Sequence, residues 1–145
     1  KVKMLTLHIA GGREMLKAAV KTARNESQRF NRKRPLLIGV TVLTSKEANF
    51  SQVLKMAKIG LNSGLDGVVC SAREAVLLSK EIKKKFIIVT PGIRPKNMAV
   101  NDQKRTATVS EAVKAGSNYL VVGRPILEAR DPLLITKRII GDSNV

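Results

Sequence analysis

The sequence predicts an α/β protein whose parallel strands, in about five strand-helix units, read as a (β/α) TIM barrel arrangement rather than a doubly wound sheet. Three observations carry this expectation. Short apolar runs alternate strictly with polar loops and amphipathic segments, an order that joins parallel strands by right-handed crossovers. The Gly-x-Gly-x-x-Gly turn of dinucleotide folds does not follow the first run, where "HIAGGREM" has its two glycines adjacent, and no Walker phosphate loop occurs. Polar and glycine residues instead gather behind all five runs, as "HIAGG", "LTSKE", "CSARE", "TPGIRP" and "GRP", and barrels build their sites at that face.

The five strand candidates are "MLTLHI" (4–9), "PLLIGVTV" (35–42), "DGVVCS" (66–71), "FIIVT" (86–90) and "YLVVG" (119–123). In the last, Leu120, Val121 and Val122 form an uninterrupted apolar run of the kind a strand buried on both faces shows. Between the strands, helix ends are marked. Ser71 with Glu74 makes a capping box ahead of "AVLLSKEI", and Thr108 with Glu111 makes another ahead of "AVKAG". Gly64 and Gly116 stand where helices stop. The last helix has Asp131 as cap, Pro132 in its first turn, an apolar set from Leu133 to Ile140, and Gly141 after it.

With 145 residues and 43% hydrophobic content, residues 1–145 read as one globular domain able to bury a core. No apolar run approaches the roughly 20 residues of a membrane span. The basic opening "KVKMLTLHIAGG" has too short an apolar stretch for a secretory signal, so no membrane and a cytoplasmic location are expected. The single cysteine, Cys70, sits in an apolar run and reads as a reduced, buried thiol. A formal charge of +16, from 27 Lys and Arg against 11 Asp and Glu, attracts phosphates or other anions. The cations cluster in "KTARNESQRFNRKRP", in "KEIKKKF" and across "IRPKNMAVNDQKR", the first two reading as solvated helix ends and loops. With aromatic residues at 3%, the stacking platform of a single-strand binder is not expected, nor is nucleic acid as partner.

The fifth run ends abruptly in Gly123-Arg124-Pro125. A glycine lets backbone approach a ligand closely, and an arginine beside it fixes one cation, so this ending suits a phosphate. Residues Pro91 to Arg105 make a connection longer than the usual 2 to 6 residues of such units, which suggests function.

"LTLHIAGG", "LLIGVTVLTS", "GLDGVVCSAREAV", "VTPGIRP", "DQKRTATVSEAVKAG" and "YLVVGRPI", in this order over nearly all of the chain, together resemble the C-terminal part of the orotidine 5′-phosphate decarboxylase family. These are cofactor-independent barrel enzymes of pyrimidine biosynthesis that make UMP. The resemblance implies that Thr44 contacts the pyrimidine edge and that Arg94 reaches the phosphoribosyl part. It implies that Gln103 bridges phosphate and base when the long connection closes as a lid, and that Gly123 and Arg124 clamp the phosphate. Lys96, Lys104 and Arg105 would add long-range attraction, and His8 would be structural. Neither a metal nor a cofactor is implied.

The same resemblance exposes a gap. The family's chemistry rests on a Lys-Asp-Lys-Asp network, including an Asp-x-Lys-x-x-Asp strand, and no such spacing occurs here. The nearest text, "DQKRTA", has Asp102 and Lys104 but Ala107 in the last place. The strands carrying that network would precede "KVKMLTLHI", so the sequence is expected to cover about five C-terminal units of eight. No catalytic residue is therefore assigned in this chain, and alone it is expected to be inactive. Two functional expectations lead, a decarboxylase component retaining phosphate and pyrimidine contacts to orotidine 5′-monophosphate or UMP, or a non-catalytic nucleotide-binding or structural half-barrel; behind both stands nucleic-acid binding through the basic surface, which would weaken steeply with salt and ignore Arg124→Ala. Unpaired edge strands would call for cover, from self-association as a homo-oligomer or from a separate N-terminal chain.

Overall fold

The computed structural model describes residues 2–43, 49–95 and 106–143. Five parallel strands lie side by side in chain order: β1 (Met4–His8), β2 (Leu36–Val40), β3 (Gly67–Val69), β4 (Ile87–Thr90) and β5 (Tyr119–Leu120). A 3-10 turn, Ile9–Gly11, leads from β1 into α1 (Gly12–Arg29). The remaining helices are α2 (Phe50–Asn62), α3 (Ala72–Glu81), α4 (Val109–Lys114), the single turn α5 (Arg124–Leu127) and α6 (Pro132–Asp142). Strand order that follows chain order is what a sheet curling toward a barrel requires, because every crossover then runs the same way.

The register sorts the strand residues onto two faces. Gly39, Val68 and Ile88 share one row. A Cβ at Gly39 would meet Ile9 and Leu65, so this row faces the helices. Leu16 of α1, Val53, Ala57 and Leu61 of α2, Ala75 and Leu78 of α3 and Val109 and Ala112 of α4 fill the space between. Their spacings of three and four residues put them on one side of each helix, and each large aliphatic buried there contributes about 1.5–3 kcal/mol. The alternate row, His8, Val40, Val69, Val89 and Tyr119, lies on the other face, the lumen side of a barrel. Cys70 is fully buried among the helix-side residues, as its apolar surroundings predict.

The predicted helix ends form as written. Ser71 Oγ accepts from the Glu74 N–H while Glu74 Oε2 accepts from the Ser71 N–H at 2.8 Å; Thr108 and Glu111 repeat the exchange. Asp131 Oδ1 accepts from the Leu134 N–H. Gly64 and Gly116, with φ of 95° and 89°, close α2 and α4 in the left-handed conformation that an L side chain disfavours. The last helix differs from expectation, running through Gly141 to Asp142, because Gly141 keeps a right-handed conformation and Ser143 serves as its C-cap. α1 continues through "RNESQR" to Arg29, with its last turns mostly exposed.

The fifth strand corrects the sequence reading more substantially. Leu120 to Val122 was expected to be buried on both faces, yet the ladder covers only Tyr119 and Leu120, and Tyr119 and Val121 are 48% and 50% exposed. The physical reason is position: β5 pairs with β4 on one side and stands at the sheet edge on the other. At the opposite edge Leu5 is likewise exposed.

Two strand starts share one device that sequence patterning did not flag. Asp66, just before β3, accepts from the Leu37 N–H at 2.7 Å through Oδ2 and donates its own N–H to the Leu37 carbonyl. Asn118, just before β5, accepts from the Ile88 N–H at 2.8 Å and donates its N–H to the Ile88 carbonyl. Each follows a helix-ending glycine by two residues, so Gly64-Leu65-Asp66 and Gly116-Ser117-Asn118 are equivalent strand starters. Asp66 carries more, because Arg34 also grips both of its oxygens, at 3.0 and 2.6 Å. Gly67 follows because any Cβ there would run into the Ile87 carbonyl oxygen.

Asp66→Ala strands a partly buried arginine and a backbone N–H together, and is expected to lower unfolding free energy by about 2–3 kcal/mol, against about 1 kcal/mol for Asn118→Ala. Urea denaturation of both variants checks this; a smaller loss at Asp66 than at Asn118 contradicts it.

Candidate functional site

The C-terminal tips of β4 and β5 are brought together by the sheet itself. Thr90 pairs with Leu120, and the Val121 N–H donates to the Thr90 carbonyl at 2.9 Å, extending the contact one residue past the ladder. Arg94 follows Thr90, and Arg124 follows Leu120, at the same offset in sequence. Pro91-Gly92-Ile93-Arg94 and Val121-Val122-Gly123-Arg124 therefore leave adjacent parallel strands in the same direction.

The Arg94 tip is rigidly held. Gly92 turns the chain with φ 75°, Ile93 is fully buried, and Ile93 pairs with Ala107 in a parallel bridge. The Arg94 N–H donates to the Ala107 carbonyl at 2.9 Å, and the Ala107 N–H donates to the Gly92 carbonyl. Both ends of the long connection are thus clamped at one point. Arg94 is only 8% exposed; its Nη1 donates to the Ile93 carbonyl at 3.0 Å, and no carboxylate of the described residues pairs with it. A buried cation without a counter-charge costs several kcal/mol, which an anionic ligand would offset. Ala107 is a positioning residue that the sequence could not disclose, since it acts through its backbone alone.

At the neighbouring tip, Gly123 is the N-cap of α5 and Arg124 its first residue, half-buried. A Cβ built at Gly123 meets no heavy atom of the described residues within 4 Å. The glycine is therefore not demanded by packing, and the space before it can admit a ligand atom against the backbone. Glu74, at the β3 tip, is engaged in its capping box, and His8 stands exposed at the β1 tip. Thr44 and Gln103 lie outside the described residues, as do Lys96, Lys104, Arg105 and Asp102. Of the five binding residues expected from sequence, Arg94, Gly123 and Arg124 stand on the two adjacent tips.

Among the described residues no group of three or more His, Cys, Asp or Glu side chains could hold a metal ion, and no helix is long and apolar enough to cross a membrane. A shallow cleft between α5 and α6, lined by Glu128, Ala129, Arg130, Asp131, Leu134 and Ile135, is mostly apolar. It involves neither of the tip arginines.

Five parallel staves in chain order, with polar and glycine residues collected at their C-terminal tips, define a segment of a (β/α) barrel. The model of the orotidine 5′-phosphate decarboxylase / HUMPS family matches residues 1–139, and the chain belongs to this family. It is 48% identical over 149 aligned residues to an orotidine 5′-phosphate decarboxylase of Hydrogenovibrio crunogenus, covering 95% of this chain and 61% of the relative. A Vibrio campbellii orotidine 5′-phosphate decarboxylase is 46% identical, with 95% and 62% covered. The crystal structure of orotidine 5′-phosphate decarboxylase from Lactobacillus acidophilus superposes with a TM-score of 0.79 at 35% identity, over 97% of this chain and 62% of that one. The enzyme from Pyrococcus horikoshii, 20% identical with a TM-score of 0.70 and 62% of its chain covered, shares the fold. The chain spans about three-fifths of the length of the curated relatives it matches.

Gly123→Ala separates a binding role from a packing one. It is expected to change unfolding free energy by less than about 1 kcal/mol, since no described atom opposes the methyl group, while weakening any binding of inorganic phosphate at this tip about tenfold or more. Thermal melts with and without inorganic phosphate check both halves; lost stability with unchanged phosphate binding contradicts a binding role for the glycine.

Proposed function

We propose that this chain supplies the phosphate- and pyrimidine-binding part of a site for orotidine 5′-monophosphate, in the decarboxylation that yields UMP and carbon dioxide. The observation that supports this reading is the pairing of β4 with β5, adjacent strands whose C-terminal tips lead into the buried Arg94 and into Gly123-Arg124. Two guanidinium groups and an open glycine suit a phosphate monoester: the forks make charge-assisted hydrogen bonds, and the glycine allows backbone approach. Thr44, one residue past the described end of the β2 tip, would meet the imide edge of the pyrimidine, a hydroxyl being able both to donate and to accept. Gln103 would bridge phosphate and base. Binding energy gathered at the phosphate, remote from the reacting carbon, would serve to assemble the site.

Chemistry at that carbon needs groups this sequence does not arrange. Asp-x-Lys-x-x-Asp occurs nowhere in it, and Ala107, in the nearest such text, clamps the Arg94 tip through its backbone. The proton-donating lysine and its aspartates would come from a further strand-helix segment. Such a segment fits the exposed edges at Leu5 and at Tyr119 and Val121, and the exposed Leu133, Leu134 and Ile140 of α6. Edge backbone groups and apolar side chains together invite a parallel strand with its helix. The missing spacing also favours a second reading, a nucleotide-binding half-barrel without catalysis.

Isothermal titration with UMP is expected to show binding that Arg124→Ala weakens about 10- to 100-fold, the range for one charge-assisted contact. The chain alone is expected to leave orotidylate absorbance unchanged, and a separately produced segment carrying Asp-x-Lys-x-x-Asp is expected to restore turnover. Appreciable turnover by the chain alone overturns the component reading, and binding without turnover after the segment is added favours the half-barrel reading.

A further inference from the structure

The largest chemical feature that a strand-tip site leaves unused is the charge at the opposite end of the sheet. Loops that lead from helices into strands collect there. Arg32 and Lys33 precede β2, and Lys83, Lys84 and Lys85 precede β4; all five are exposed and none is in a salt bridge with a described residue. Asp66 joins the two loops: it is gripped by Arg34 on one side, and its carbonyl accepts the Ile87 N–H at 2.9 Å on the other. With strands about 4.8 Å apart, the starts of β2 and β4 lie about 10 Å from each other. The cations therefore form one band along the rim of the sheet.

Helix termini do not account for this band. The C-terminal ends of α1 and α3 each present about half a negative charge, which two cations would satisfy. Arg29 is paired with Glu26 and Arg34 with Asp66, so of the five remaining cations three are in excess. They are also joined by flat surfaces. Phe30 is 56% exposed, with the Arg29 and Arg32 guanidinium carbons 5.2 and 5.9 Å from its ring centroid. At the other end of the band a cleft is lined by Ile82, Lys83, Lys84, Lys85, Phe86 and Asn118. An aromatic ring and guanidinium planes beside a row of cations, with a cleft at the next strand start, match the stacking and phosphate contacts of a single strand. A lipid surface would instead favour a large apolar side set on an amphipathic helix, which this band lacks.

We propose that this rim binds single-stranded nucleic acid, independently of the strand-tip site. The band runs from Phe30 to the Lys83–Lys85 loop, phosphates lying on the five cations and a base stacking at Phe30. Low aromatic content argues against an extended platform, but one exposed ring flanked by guanidinium planes suffices for one base.

Fluorescence anisotropy of a labelled 15-residue oligouridine tests this on the intact chain. Five phosphate contacts give a slope of about −3.5 in log affinity against log salt, so binding is expected to fall about 100-fold between 50 and 200 mM salt. Lys83→Gln/Lys84→Gln/Lys85→Gln is expected to reduce the slope by about 2. Phe30→Ala is expected to weaken binding about fivefold or more with the slope unchanged. Circular dichroism melts confirm that these exposed substitutions leave the fold intact, and saturating UMP is expected not to compete. Unchanged binding in both variants overturns the proposal. So does competition by UMP, and so does binding confined to phosphatidylserine vesicles. Equal affinity for heparin, with Phe30→Ala silent, also overturns it, since charge alone would then explain the band.

Discussion

The parallel pairing of β4 with β5 is the constraint on which the rest depends. Two ladder pairs, Val89 with Tyr119 and Thr90 with Leu120, and the hydrogen bond from Val121 to Thr90 fix how the two strands end. Arg94 and Arg124 each follow their strand's last ladder residue by four positions, so both belong to the segments that leave these two adjacent tips. The pairing is short, so it is braced from below: Asn118 ties the start of β5 to Ile88, while the Ser117 hydroxyl meets that of the fully buried Thr90 at 2.5 Å. Ordinary backbone and side-chain hydrogen bonds thus hold the two strands that lead into the Arg94 and Arg124 segments.

Much of the fold was legible because its signals are local. Capping boxes at Ser71 and Thr108, the Asp131 cap and the left-handed glycines at 64 and 116 depend on a few consecutive residues, and all are found where the sequence places them. What sequence concealed depends on neighbours distant in the chain. Val121 reads as core but is half exposed, because burial on the second face of a strand requires a second neighbour. Asp66 reads only as the first residue of an apolar run, and its grip on Arg34 and Leu37 joins segments about thirty positions apart. For the site, Gly123 and Arg124 stand out as a glycine-arginine ending to an apolar run, whereas Arg94 is named only through the family resemblance. Ala107, which fixes Arg94 through backbone atoms only, carries no side-chain signature.

The molecule separates its charge between two ends. At the strand tips, a buried arginine lacks a carboxylate among the described residues, and so favours an anion of defined size. At the other rim, exposed lysines and arginines sit in high dielectric, where attraction is weaker per contact and screened by salt. The same net charge of +16 therefore has two physical meanings, one for recognition at a fixed point and one for a diffuse field. The exposed edges of β1 and β5 and the apolar residues of α6 add a third property, a sheet whose outer strands still have hydrogen-bonding capacity.

The central claim is that one phosphate is held by both arginine tips at once. Nuclear magnetic resonance of the chain labelled with nitrogen-15 in its arginine side chains, titrated with UMP, addresses it directly. The account predicts that the Arg94 and Arg124 guanidinium signals shift together along a single binding curve, while those of Arg29 and Arg32 stay in place. Shifts at only one tip, or at neither while other arginines respond, would contradict it.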